Sequence, residues 1–115
     1  MRDLKFRVFY EGSMHRVLIA DWFSENVLID LNGELVEVSF EKVTPEQYTG
    51  LEDVEGQPIY EGDILQDCND GTVVGAVTYD DKEGMYECNK NCMYDVSDCK
   101  VVGNIHMNPE LLEVD

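Results

Sequence analysis

The chain has 115 residues, eight basic and twenty-five acidic, for a formal net charge of −17 at pH 7. That length supplies one domain's worth of core, and 43% hydrophobic with 29% charged residues is the balance of a folded chain. The charge argues against direct nucleic-acid binding and against an anionic membrane surface as partner, since both need clustered Lys and Arg.

Residues 4–10 alternate. Leu4, Phe6, Val8 and Tyr10 fall on one face and Lys5, Arg7 and Phe9 on the other, the period of a strand with one buried face. Glu11-Gly12-Ser13 signals a turn, and residues 14–20 return as a second strand. Residues 21–26 carry no clear period, and Trp22 and Phe23 are expected to cover one end of the core. Asn32-Gly33 lies between VLIDL and ELVEVSF, so a type I′ hairpin is predicted with Val36, Val38 and Phe40 on one face. Thr44-Pro45-Glu46-Gln47 has the form of a capping box, but Gly50 follows at once. A connector leading into a strand at Tyr48 is therefore expected.

Glycine punctuates the second half, and short β-branched runs lie between the glycines. Close turns around such runs predict a small barrel or sandwich and not βαβ units. Asn69-Asp70-Gly71 is a second hairpin turn, and Gly75 within a valine strand predicts a bulge. Gly84 falls in the charged loop Asp80–Gly84. Gly103-Asn104 reads as a turn or bulge. Asn108-Pro109-Glu110-Leu111-Leu112 reads as cap, first-turn proline and a short helix.

The chain shows no run of about eighteen apolar residues, and its start lacks the apolar core of a signal peptide. No membrane partner is expected, and the four cysteines are expected to stay reduced. Cys88 and Cys92 have the spacing of one zinc pair, but Cys92 and Cys99 do not make a second. A site from Cys68, Cys88, Cys92 and Cys99, or from three of them with His106, stays open by residue type. Free, partly buried thiols are the expectation, with no metal and no cofactor. No catalytic residue is singled out. His15 and His106 are far apart, no nucleophile elbow, P-loop or HExxH occurs, and carboxylates are too many for any pair to stand out. Tyr48, Tyr60 and Tyr79 are read as packing residues, because a stacking platform for single strands needs a basic groove.

Two segments then carry a resemblance. Residues 47–65, QYTGLEDVEGQPIYEGDIL, and residues 101–112, VVGNIHMNPELL, together with Lys5-Phe6-Arg7-Val8 near the start, resemble the YopX family of phage and prophage proteins. Phe9-Tyr10 depart from the Trp-Asp common in that family. The resemblance implies a phage- or prophage-encoded single-domain β protein in the bacterial cytoplasm, with no assigned activity. Its expected fold is mainly β with minor α. An SH3-like, partly open barrel would occupy residues 47–115, N-terminal β-hairpins over residues 1–46 would pack against it, and a short helix would close the chain. Within the motif, Gly62 is expected to supply a positive φ and Asp63 to accept backbone N–H groups across the turn.

Charge is uneven. The first sixteen residues are net +2, and the remaining ninety-nine are net −19. An acidic surface attracts basic patches and speeds encounter. The expected function is a non-catalytic protein–protein interaction module that docks an unidentified protein with a basic surface, with homo-oligomerisation left open. The alternative is a nucleic-acid mimic that blocks a DNA-binding enzyme. Glu52, Asp53 and Glu55, together in a turn expected to be exposed, are the candidate partner-binding residues, and Asp80-Asp81-Lys82-Glu83 is a competing cluster.

Overall fold

The computed structural model describes residues 5–88, 91–92 and 98–113. It is mainly β, with antiparallel sheets throughout. The chain divides into two compact units, Met1–Gln47 and Tyr48–Asp115.

The first unit holds β1 (Phe6–Tyr10), β2 (Ser13–Asp21), β3 (Asn26–Leu31) and β4 (Glu34–Ser39), in the order β4-β3-β2-β1. The start of β5 (Glu46–Glu52) adds beside β1, pairing Phe6 with Gln47 and Arg7 with Glu46. Both hairpin turns take left-handed conformations, which Gly12, Asn32 and Gly33 suit and Glu11 adopts against its preference. Glu11 and Gly12 have φ of 50° and 83°, and Asn32 and Gly33 have 56° and 90°. The Asp30 carboxylate also accepts the Gly33 N–H at 2.7 Å. Register then follows, with Val27 opposite Val38 and Ile29 opposite Val36. Val8, Val27, Ile29, Val38 and Val43 form the core, and Tyr10, Val17, Ala20, Val36 and Phe40 pack against it. Each such aliphatic side chain contributes about 1.5–3 kcal/mol when fully buried.

The unexpected member of this unit is an ion pair. Arg7 Nε donates to Glu46 Oε1 at 2.9 Å, and Glu46 is buried. The connector expected over residues 44–47 is already strand from Glu46 onward, because Arg7 on the neighbouring strand holds that carboxylate. A charge this far from water is tolerated only when paired.

In the second unit the end of β5 pairs with β6 (Pro58–Tyr60). A five-stranded sheet follows, in the order β10-β9-β8-β7-β11. Its strands are β7 (Asp63–Asp67), β8 (Val73–Asp80), β9 (Met85–Cys88), β10 (Asn91–Cys92) and β11 (Cys99–Asn104). Among the described residues this sheet is open, ending on β10 and β11, and does not close into a barrel. Its core is Ile59, Leu65, Val77, Cys88 and Cys99. The bulge expected at Gly75 is present. Leu65 pairs with Gly75 and Gln66 with Val73, and Gly75 has a φ of 148°. A second bulge lies between Val101 and Gly103 on β11. Gly103 is required there by close approach, since a Cβ would come within 2.5 Å of Asn108 Oδ1.

Two local details refine the sequence reading. Gly84 has a φ of 66°, so the loop after Asp80 requires glycine, and its N–H bonds the Asp80 carbonyl at 2.8 Å. The C-terminal helix is a single 3₁₀ turn, Pro109–Leu112, and Asn108 makes no side-chain cap bond to it. Asn108 Oδ1 instead accepts the Asn104 N–H at 3.3 Å, which ties the turn to the bulged strand.

Candidate functional site

The turn after β5 contains the three residues singled out as a docking face, and the structure separates them. Glu52 and Glu55 are exposed. Asp53 is 7% exposed, which corrects the expectation of an exposed turn at that residue. Its Oδ1 accepts the N–H groups of Glu55 and Gln57, each at 2.8 Å, and its Oδ2 accepts the Val101 N–H at 3.0 Å. Burial on its own would raise this carboxyl's pKa, but the backbone donors Val101, Gln57 and Glu55 together hold it below the ordinary value. Asp53 therefore fastens the turn to β11 and offers nothing to a partner.

Other polar residues of the motif are used in the same way. Thr49 is buried, donates its hydroxyl to the Ile59 carbonyl at 2.8 Å and accepts the Leu51 N–H at 3.2 Å. Asp63 is buried, and its Oδ2 accepts the Tyr60 N–H at 2.8 Å, as the turn reading expects. Gly62 has a φ of 86° and bonds on both sides, to the Val77 carbonyl and from the Ile105 N–H, each at 2.9 Å. Asn104 Oδ1 accepts the N–H groups of His106 and Met107. These residues build turns and joints, and the motif so described is a folding device.

The cysteines do not converge on a ligand cage among the described residues. Cys88 and Cys99 are buried in the apolar core of the second unit, while Cys68 and His106 are exposed. The side chain of Cys92 lies outside the described residues. Burial, with the neighbouring Cys99, pushes the Cys88 thiol up to about 11, and its Sγ donates to the Gly75 carbonyl at 3.3 Å. Burial also raises the Cys99 thiol, helped by Asp67, Cys68, Asp98 and Asp70. The thiolate is the reactive species. In native protein at pH 8, iodoacetamide should therefore label Cys68 at least about tenfold faster than Cys88 or Cys99, with peptide mass spectrometry as the readout. Equal labelling rates would contradict the burial of the latter two.

Tyrosine rings pair within their own sheets, with centroids 5.5 Å apart for Tyr48 and Tyr60 and 5.0 Å for Tyr79 and Tyr86. Asp80 spends its carboxylate on the N–H groups of Lys82 and Glu83, leaving Asp81 and Glu83 as the exposed acids of that cluster.

The surface feature that sequence reasoning missed lies on the first unit. Trp22 only half-covers the core, stacking edge-on against Phe6 at 5.4 Å and Phe40 at 5.1 Å while 57% exposed. Phe23 covers nothing and is 99% exposed. Its position is fixed, because Asp21 Oδ1 accepts the N–H groups of Phe23 and Ser24, each at 3.0 Å. Bonds from Ser24 and then Phe23 hold the Asp21 carboxyl below its usual range. Leu18, Ile19 and Leu35 are also exposed on this unit. The signal available in the sequence was Asp21 itself, two residues before Phe23, where an Asx-type turn points the aromatic outward.

Among the described residues no helix is long and apolar enough to cross a membrane. No curated protein matches the chain. The crystal structure of protein EF1440 from Enterococcus faecalis is similar, with a TM-score of 0.68 and 26% identity over 96% of this chain and 99% of that one. The family model described as YopX protein matches residues 5–113. With nearly its whole length matched, and with the motif's glycines, Thr49, Asp53 and Asp63 all placed in the turns and joints of the fold, this chain belongs to the YopX family.

Proposed function

We propose that this protein is a non-catalytic interaction module, phage- or prophage-encoded and working in the bacterial cytoplasm, that docks a protein with a basic surface. Its second half would serve as an SH3-like scaffold. The observation that carries this reading is Phe23, fully exposed in a loop that hydrogen bonds hold in place, with exposed Trp22 and Ile19 nearby in sequence and acidic Asp21 and Glu25 beside it. Interface hot spots are aromatic anchors inside a polar rim. A nucleic-acid mimic needs a uniformly negative face, and an exposed Phe–Trp pair interrupts one. The mimic reading rests on net charge alone.

The test begins with the partner captured from host lysate, repeated with both proteins pure. Phe23→Ser should weaken binding at least about tenfold while leaving the thermal midpoint unchanged, since the side chain packs against nothing that would be lost. Association should slow as salt rises, because screening acts over about 8–10 Å at physiological strength. Glu52→Lys with Glu55→Lys reports whether that exposed turn takes part. Retardation of labelled DNA by the purified protein at physiological salt, or salt-independent association, would overturn the proposal.

A further inference from the structure

We infer that the open edge of β4 accepts an extended, basic segment of the partner as an additional antiparallel strand. This rests on the proposed interaction function and names a backbone site for it. The two-residue turn at Asn32-Gly33 sets Leu31 opposite Glu34 as the closing hydrogen-bonded pair. Alternation then gives Glu34, Val36 and Val38 to β3 and turns the N–H and C=O groups of Leu35 and Glu37, with the N–H of Ser39, toward the open side, while the Ser39 carbonyl accepts the Lys42 N–H at 2.9 Å. The Phe40 N–H, bonded back to the Glu25 carbonyl at 2.9 Å, keeps this parity.

The other sheet edges differ. β11 is capped, with the Val101 N–H on Asp53 and the Cys99 carbonyl receiving the Val54 N–H. β6 has three residues and β10 two. Among the described residues β4 is thus the one six-residue edge strand whose outward groups stay uncapped up to its last carbonyl. An uncapped edge is a template for strand addition.

Charge decides the occupant. Glu34, Glu37 and, just beyond, Glu41 are exposed along this edge, and Leu35 is 62% exposed. A second copy would bring its own glutamates against these, within two chains of net −17 each. A strand alternating apolar residues with Lys or Arg would place its apolar side chains on the core side, level with Val36 and Val38, and its bases beside Glu37 on the outer side. The edge therefore rejects itself and accepts a basic strand.

The probe is the acetylated, amidated peptide (Val-Lys)4, added at millimolar concentration to the full-length protein. Hydrogen exchange read by nuclear magnetic resonance should show the amides of Leu35, Glu37 and Ser39 slowed by about tenfold or more. Two control peptides, (Val-Glu)4 and (Val-Lys)4 N-methylated at alternate residues, should give no slowing. Glu37→Pro, which removes only an outward N–H, should abolish the effect. If that variant fails to fold, the N-methylated peptide makes the same distinction. Equal effects from the methylated peptide, no slowing at the three amides, or their protection in a dimer without peptide would each overturn the inference. If Glu37→Pro binds the captured partner normally while Phe23→Ser does not, the strand site fails and the interaction function stands.

Discussion

Asp53→Ala should destabilise the protein by about 3 kcal/mol, measured as a lower urea midpoint at unchanged slope. The carboxylate satisfies three N–H groups, from Glu55, Gln57 and Val101. Removing it leaves those donors without an acceptor in a site that is 7% exposed. Hydrogen bonds to charged groups contribute about 1.5–3 kcal/mol each, and partial relaxation toward water keeps the total below their sum. Glu52→Lys and Glu55→Lys, one residue before and two after, should change stability by no more than about 0.5 kcal/mol, because both side chains are exposed. Equal losses at all three positions would refute the division of this turn into a joint and a surface. The pH dependence has a definite sign. The folded-state pKa of Asp53 is depressed below the ordinary aspartate value. Its contribution is thus present above the unfolded pKa and is lost as pH falls through the folded one. Wild-type stability should decline below about pH 4 more steeply than that of Asp53→Ala, and parallel profiles would argue against the ionised form as the acceptor.

Gly62→Val should cost about 3 kcal/mol, and Gly84→Val about half of that. Both glycines have left-handed φ, 86° and 66°, so valine is strained at each by about 1–3 kcal/mol. The difference lies in the surroundings. Gly62 is buried, and its N–H and C=O hold Val77 of β8 and Ile105 beyond β11. A shift that relieves strain there breaks joints to two other parts of the sheet. Gly84 is exposed in the loop between β8 and β9, where a Cβ would meet only the Tyr79 hydroxyl at 3.9 Å. The loop can relax at little expense to the core. Equal midpoints for the two variants would show that the turn into β7 is no more constrained than the hairpin loop.

The elements that were legible in the sequence are those whose requirements are local. Asn32-Gly33 specifies its hairpin because two consecutive left-handed residues suit few other pairs, and the register of β3 and β4 then follows from the alternation of Val27, Ile29, Val36 and Val38. Gly75 marks its bulge for the same reason, since its φ of 148° is glycine's territory. Asp63 was readable as a turn acceptor because its donor, Tyr60, lies three residues away.

Tertiary structure decided what depends on distant partners. The Arg7–Glu46 pair joins residues 39 apart, and the bond from Val101 that buries Asp53 spans 48. Two of the Asp53 donors, Glu55 and Gln57, are local, an Asx-type turn that Glu52 and Glu55 do not make, but the third comes from Val101 on a distant strand, and without it the acidic turn read as a uniform surface. Phe23 went the other way. Its composition says core, but the adjacent Asp21 captures two backbone N–H groups and turns the ring to solvent, while Trp22 takes the place against Phe6 and Phe40. By itself the sequence determined the β class, the turns and the charge, since these are properties of single residues and near neighbours. Which carboxylates are joints and which aromatic stands free was settled only by strands meeting across the fold. Burial is a property of what arrives from elsewhere in the chain, and side-chain chemistry alone does not carry it.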